Sequence, residues 1–171
     1  DAVLTVSGQL DPRMFGPAIP THRTEFMTGR GGRSSGPLDG DGRRSIYGAV
    51  YRNFLSPFML TFDQPNPFGP KGRRSVSNVP AQSLALMNDP FIVGQAKFWA
   101  EKSESIDFKS PEERIRQMYE EAFGSLPDSK TVTALHNFLE TQGSLYGKVG
   151  EEAWADLAHV LINMKEFVYL R

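Results

Sequence analysis

The chain is 171 residues long, 39% hydrophobic and 23% charged, with 19 Lys+Arg against 20 Asp+Glu. It has no cysteine, which excludes disulfides, thiolate metal sites, cysteine nucleophiles and covalent c-type haem attachment. A net charge of -1 argues against charge-driven nucleic-acid binding, and no apolar run approaches the roughly 18 residues of a membrane span.

The averages conceal a divided chain. Residues 1–80 hold 11 of the 16 Gly and 9 of the 12 Pro, with 10 Lys+Arg against 6 Asp+Glu. Residues 81–171 carry 9 basic residues against 14 acidic ones. A basic, Gly/Pro-rich arm of balance +4 thus precedes an acidic body of balance -5, and the two attract weakly at low salt. The chain opens at Asp1 without an initiator Met and runs straight into Ala2-Val3-Leu4-Thr5-Val6. That reads as the end of an element begun upstream, so residues 1–171 are expected to be a single domain cut from a larger chain. The basic, apolar and small-residue pattern of a signal peptide is absent from it.

Residues 11–42 read as a loop. The stretch Gly29-Arg30-Gly31-Gly32-Arg33-Ser34-Ser35-Gly36 has too little apolar surface to offset its ordering entropy. Either the loop wraps over the body through Met14, Phe15, Ile19 and Phe26, or it is mobile. Its single Arg-Gly-Gly copy, around Arg30 and Arg33, lacks the repeats and interleaved aromatics of RNA-binding tails. No Gly-Lys-Ser/Thr follows the glycines, so a phosphate loop is excluded as well. Asp39-Gly40-Asp41-Gly42 superficially matches the front of a calcium loop. The remaining oxygen ligands are missing and Arg43 and Arg44 would repel a cation, so a solvated turn is expected and no metal.

Between residues 45 and 62, Ile46, Tyr47, Val50, Tyr51, Met59, Leu60 and Phe62 are β-prone or aromatic, with Ser56-Pro57 interrupting them. Two short β-strands, an extended arm, or a helix over 45–55 all fit so short a run. Pro80 suits the first turn of a helix after Asn78, with Leu84 and Met87 facing inward. Asn88-Asp89-Pro90 is a break and restart, in which Asp89 caps, Pro90 begins, and Phe91, Ile92, Phe98 and Trp99 pack.

Three further helices follow. Ser110-Pro111-Glu112-Glu113 supplies an N-cap, a first-turn proline and a capping-box glutamate. Ile115, Met118, Tyr119, Ala122 and Phe123 then form one stripe, which Gly124 stops. Asp128 caps the next helix, whose apolar face is Val132, Leu135, Phe138 and Leu139, ending at Gly143. The last begins near Glu151 with its acidic residues at the favourable end and carries Trp154, Leu157, Ala158, Leu161 and Ile162. The fold class is therefore mainly α: a C-terminal helical bundle over 81–171 with an irregular N-terminal arm over 1–80.

Catalytic signatures are missing. His22, His136 and His159 are scattered and match no zinc spacing, and no serine sits in a G-x-S-x-G elbow. His136 and His159 fall near apolar stripes, where a partly buried, satisfied histidine is expected. The adjacent pairs Glu112/Glu113, Glu120/Glu121 and Glu151/Glu152 diverge by about 100° on a helix and cannot share a substrate atom. The first and last pairs open helices, and Glu120/Glu121 reads as solvated. No catalytic residue and no cofactor is assigned.

The polar segment from Asp63 to Asp89 holds the ligand-binding candidates: Asp63, Arg73, Arg74, Asn78, Gln82 and Asp89. A long polar loop between packed elements must satisfy its own backbone, which Arg–Asp pairs and Asn/Ser caps do well. The alternative is a pocket in which Arg73 or Arg74 grips a carboxylate or sugar hydroxyls. In a hydrolase Asp63 and Asp89 would have to face each other roughly 5–9.5 Å apart.

Several blocks together carry a resemblance. They are Ser7-Gly8-Gln9-Leu10-Asp11, Met14 with Gly16-Pro17, Arg43-Arg44-Ser45-Ile46-Tyr47, Phe58 to Pro65, Arg74 to Pro90, and a closing set from Trp154 through Asn163 and Glu166 to Tyr169. In this order they resemble the C-terminal domain of unknown function (PSD-one type) in large secreted proteins of planctomycetes and related bacteria. That family implies an extracytoplasmic, periplasmic or secreted location and a multidomain parent, commonly with a second helical domain of unknown function. A cytochrome-c-like domain is often present too. It supplies no established reaction. Relatives place a cysteine shortly before the arginine matching Arg74, where this chain has Pro70-Lys71-Gly72-Arg73, so no metal or redox role carries over to that loop. The expected partners are upstream domains of the same parent, and carbohydrate if the polar pocket exists. The expected function is a non-catalytic packing module, with carbohydrate binding or processing around Asp63–Asp89 as the alternative and electron-transfer docking as a third.

Overall fold

The computed structural model describes residues 1–27, 34–73 and 77–169. The chain divides into two compact units, one made of Asp1 with Leu10–Ala85 and the other of Ala2–Gln9 with Leu86–Arg171. The fold is mainly α, with eight helices among the described residues: α1 (Ala2–Ser7), α2 (Pro57–Thr61), α3 (Pro80–Asn88), α4 (Pro90–Glu104), α5 (Pro111–Phe123), α6 (Ser129–Tyr146), α7 (Glu151–Asn163) and α8 (Lys165–Val168).

The helical unit follows from its caps and stripes. Asp89 accepts the Phe91 N–H at 2.9 Å while Pro90 opens α4. Ser110 Oγ accepts the Glu113 N–H at 3.3 Å, and Asp128 Oδ1 accepts the Thr131 N–H at 2.7 Å. Gly124 ends α5 in the left-handed region at φ 68°, where only glycine pays no steric penalty. Ile92, Ala96, Trp99 and Ala100 of α4 face Ala153, Leu157, Ala158, Leu161 and Ile162 of α7, all buried, around the central helix pair. Ile115 and Met118 of α5 and Leu139 of α6 complete the core. Each such Ile, Leu or Met side chain contributes about 1.5–3 kcal/mol. The first helix belongs here too: Leu4 and Val6 are buried, and Ser7 hydrogen-bonds Gln95 of α4.

Several expected details differ. Helix α6 does not end at Gly143 but continues to Tyr146, with Gly147 at φ 80° closing it. Gly143 is instead a point of close approach, because a Cβ there would lie 2.5 Å from Val149 Cγ2. Leu84 and Met87 do not face inward; they are 59% and 57% exposed. Helix α3 buries Gln82 and Leu86, four residues apart, because the Gln82 amide satisfies a neighbouring backbone carbonyl. Phe98 is exposed as well, one residue before the fully buried Trp99, since the α4 stripe runs through 92, 96, 99 and 100.

The other unit is held mainly by hydrogen bonds. Over 45–62 no strand forms among the described residues; Ser45–Tyr47 is a 3-10 turn and Pro57 opens α2 under a Ser56 cap. Two extended segments touch at the parallel bridges Asp11–Arg43 and Ile19–Gly48. Ile19 donates to Tyr47 O at 2.9 Å and accepts from Ala49 N at 2.8 Å. Phe54 is the one large apolar side chain buried among the described residues of this unit, under the Arg23 guanidinium 4.0 Å from its ring. Met14, Phe15, Phe26, Ile46 and Phe68 are each at least 66% exposed.

Candidate functional site

Asp63 follows α2 in a left-handed conformation, at φ 61°, which an Asp tolerates better than most residues. Its Oδ2 accepts the Ser77 N–H at 2.7 Å and the Ser77 hydroxyl at 2.9 Å. Gln82 Nε2 donates to Thr61 O and to Ser77 Oγ, both at 3.1 Å. Asp63, Ser77 and Gln82 therefore form one polar knot that ties the end of α2 to the start of α3. Arg73 and Asn78 are exposed, and Arg74 lies outside the described residues. Asp89 belongs to the helical unit, where it is the N-cap of α4. Each of the two carboxylates is thus committed to a backbone N–H within its own unit. Arg30 and Arg33 also lie outside the described residues.

A second cluster in the same unit was not singled out by spacing. Asp11 accepts from Arg13 three times, from the backbone N–H at 2.9 Å, from Nε at 2.7 Å and from Nη2 at 2.6 Å. The Arg13 donors hold the Asp11 carboxyl below its usual range. Phe15 has φ 64°, a strained value for an aromatic residue worth about 1–3 kcal/mol. Its N–H donates to Tyr47 Oη at 2.8 Å and its carbonyl accepts from Arg43 Nη2 at 2.7 Å. Arg43 is buried against the Tyr47 ring, 4.4 Å from the centroid, and also donates to Arg13 O. Asp11, Met14, Arg43 and Tyr47 fall in the blocks that carry the family resemblance, but strain leaves no periodic signal in a sequence.

In the helical unit, Glu121 is not the solvated residue its sequence position suggested. Its Oε2 accepts from Trp99 Nε1 at 2.8 Å and from Lys102 Nζ at 2.9 Å, and Lys102 also donates to Val6 O. A buried indole N–H needs an acceptor, and the carboxylate one helix away supplies it. His136 Nε2 lies 3.4 Å from Glu112 Oε1. His159 Nε2 lies 2.9 Å from Leu86 O.

Among the described residues no three His, Asp or Glu side chains converge as a metal site would require. Nor is any described helix long and apolar enough to cross a membrane. Comparison with known sequences is informative in one place. Residues 1–139 match PSD1, a protein of unknown function (DUF1553). The chain belongs to the PSD1 family. The PSD1 match spans α1 to the middle of α6, so the Trp154–Tyr169 block lies beyond the matched residues. No curated protein and no solved structure matches the chain.

Proposed function

We propose that this PSD1 domain is a non-catalytic packing and interaction module of an exported, multidomain bacterial protein, and that it rests against other domains of its parent chain. The observation that carries this is the unit of Asp1 with Leu10–Ala85, which buries Phe54 and leaves Met14, Phe15, Ile46, Phe26 and Phe68 between 66% and 92% exposed. Where such side chains form one contiguous patch, another protein surface usually covers it. The polar candidates support the same view over a carbohydrate-processing one. Asp63, Gln82 and Asp89 direct their hydrogen bonds at backbone groups and the Ser77 hydroxyl, each within its own unit. Export, a planctomycete-type parent and an accompanying cytochrome-c-like domain rest on the family resemblance.

The test is the complete reading frame. A secretory leader and further domains upstream of Asp1 are expected, and their joint absence overturns the proposal. In the complete protein the exposed aromatic residues should resist hydroxyl-radical labelling that modifies them in the 171-residue chain. Equal labelling of all of them in both forms overturns the packing role.

A further inference from the structure

Residues 1–11 leave one unit and return to it within a single helix. Asp1 Oδ1 accepts the Ser45 N–H at 2.7 Å and the Ser45 hydroxyl at 2.9 Å, and its Oδ2 accepts from Arg44 Nε at 3.2 Å. Asp11 N donates to Gly42 O at 2.8 Å, in the parallel bridge that Asp11 forms with Arg43. Both ends are thus held by one stretch, 42–45, of their own unit. Between them, Ala2–Gln9 belongs to the helical unit. There Leu4, Val6 and Ser7 are buried, Ser7 hydrogen-bonds Gln95, and Lys102 Nζ donates to Val6 O at 2.7 Å. Gly8 makes the return possible. At φ 76° it reverses the chain, with Gly8 N donating to Thr5 O and Gln9 N to Leu4 O. A Cβ at Gly8 would also lie 2.9 Å from Lys102 Cδ.

We propose that residues 1–11 are a coupling clip: the hold on Asp1 and Asp11 at residues 42–45 and the seating of α1 on α4 are one linked event, so that loosening either loosens the other. Two physical facts tie them together. A helix of 6 residues is too short to persist by itself, so α1 is helical only while α4 and its Lys102 hold it. Pinning both ends of the segment confines α1 and raises its effective concentration at α4, and a seated α1 in turn presents Asp1 and Asp11 to their partners. The coupling runs through the covalent chain and acts equally in both directions, as linkage requires. Compact units of one chain otherwise move independently by default. Order at residues 42–45 is thereby felt in the core that α1 shares with α4, whether or not another domain covers either unit.

Residue-resolved amide exchange by NMR on the 171-residue chain tests the clip. Asp1→Ala removes the exposed hydrogen bonds to Arg44 and Ser45 and touches neither core. In this variant the Gly8 and Gln9 amides, whose acceptors lie within α1, should exchange about fivefold faster or more. Leu4→Ala loosens α1 against its core and should speed exchange at Asp11 and Ser45 by a similar factor, although both amides bond within the other unit. Where Leu4→Ala does not fold, Lys102→Met keeps the aliphatic stem beside Gly8 and carries the same expectation. If Asp1→Ala speeds Ser45 but leaves Gly8 and Gln9 at the parent rate, the two holds are independent and the clip is overturned. Unchanged rates at Asp11 and Ser45 in the α1-loosening variant overturn it equally. One common factor for every amide reports opening of the whole chain and overturns the clip as a separate element.

Discussion

His159 supplies to Leu86 the hydrogen bond that Pro90 cannot. In an uninterrupted helix the Leu86 carbonyl would accept the N–H of residue 90, and proline has none. His159 Nε2 instead lies 2.9 Å from that oxygen, which fixes the tautomer with the proton on Nε2, and Asn163 Nδ2 approaches it at 3.4 Å. Two residues one turn apart on α7 thus close the broken end of α3. His159→Ala should lower unfolding stability by about 1–2 kcal/mol, while His159→Gln, which can still donate, should recover part of it. Urea denaturation with an unchanged m-value checks both.

Arg114 performs a similar service at the end of α4. Its Nη2 donates to Ala100 O at 2.7 Å and its Nε to Ser103 Oγ at 2.9 Å, and its guanidinium carbon lies 3.9 Å from the Trp154 ring centroid. Burial pulls its pKa down from the ordinary value, yet an arginine stays charged throughout the physiological range. Arg114→Lys keeps the charge but loses the planar stacking and the fork, so it should still cost about 1–2 kcal/mol. A lysine variant as stable as the parent in thermal unfolding would refute this account.

Two helical glycines should respond to alanine with opposite signs. At Gly143 a Cβ would meet Val149 Cγ2 at 2.5 Å and Val149 N at 3.0 Å, so Gly143→Ala should destabilise by about 1–3 kcal/mol. At Gly94, inside α4, nothing lies within 4 Å, and Gly94→Ala should stabilise by about 0.4–1 kcal/mol. Melting temperatures of the two single variants decide the matter.

The α6 cap should depend on pH. The backbone and hydroxyl donors of Thr131 hold the Asp128 carboxyl below its ordinary 3.8. A carboxyl depressed in the folded state adds stability above the unfolded value, and that gain disappears as pH falls through the lower folded value. Asp128→Ala should therefore melt lower than the parent at pH 7, with the gap closing as the pH is taken below the ordinary 3.8 and through the lower folded value. A gap independent of pH would show that the charged cap is unimportant.

The polar knot at Asp63 should behave as structure. Asp63→Ala removes the acceptor of two Ser77 hydrogen bonds and should lower stability by about 1–3 kcal/mol, whereas Asp63→Asn should be milder. Chemical denaturation of the two variants measures this directly.

Where local chemistry decides the outcome, the sequence was sufficient. Ser110, Asp128, Asp89 and Gly124 act through neighbours within four residues, and each stands where its cap was expected. The α5 and α7 stripes were equally legible, because a single 3.6-residue period separates core from solvent. The misreadings share a cause, which is contact with residues beyond the helical turn that carries the pattern. Gly143 matches a helix stop until Val149 is known to press on it. Leu84 and Met87 match a buried face until Gln82 is seen to satisfy Thr61 and Ser77. Glu121 matches a solvated pair until Trp99 needs an acceptor. The grip on the Phe15 backbone was not legible for the same reason, since Arg43 and Tyr47 hold it from about thirty residues away.

The membership of α1 in the helical unit has a consequence for how the protein is made. Residues Ala2–Gln9 and Leu86–Arg171 share one core, so Leu10–Ala85 is an excursion of 76 residues inserted between its parts. Closing a loop of that length costs about 4 kcal/mol in chain entropy beyond a constant, and it must be overcome before α1 gains anything from α4. Of the helices in this domain α1 is therefore synthesised first and is among the last to find its place, and until α4 has been synthesised Leu4 and Val6 have no core to enter.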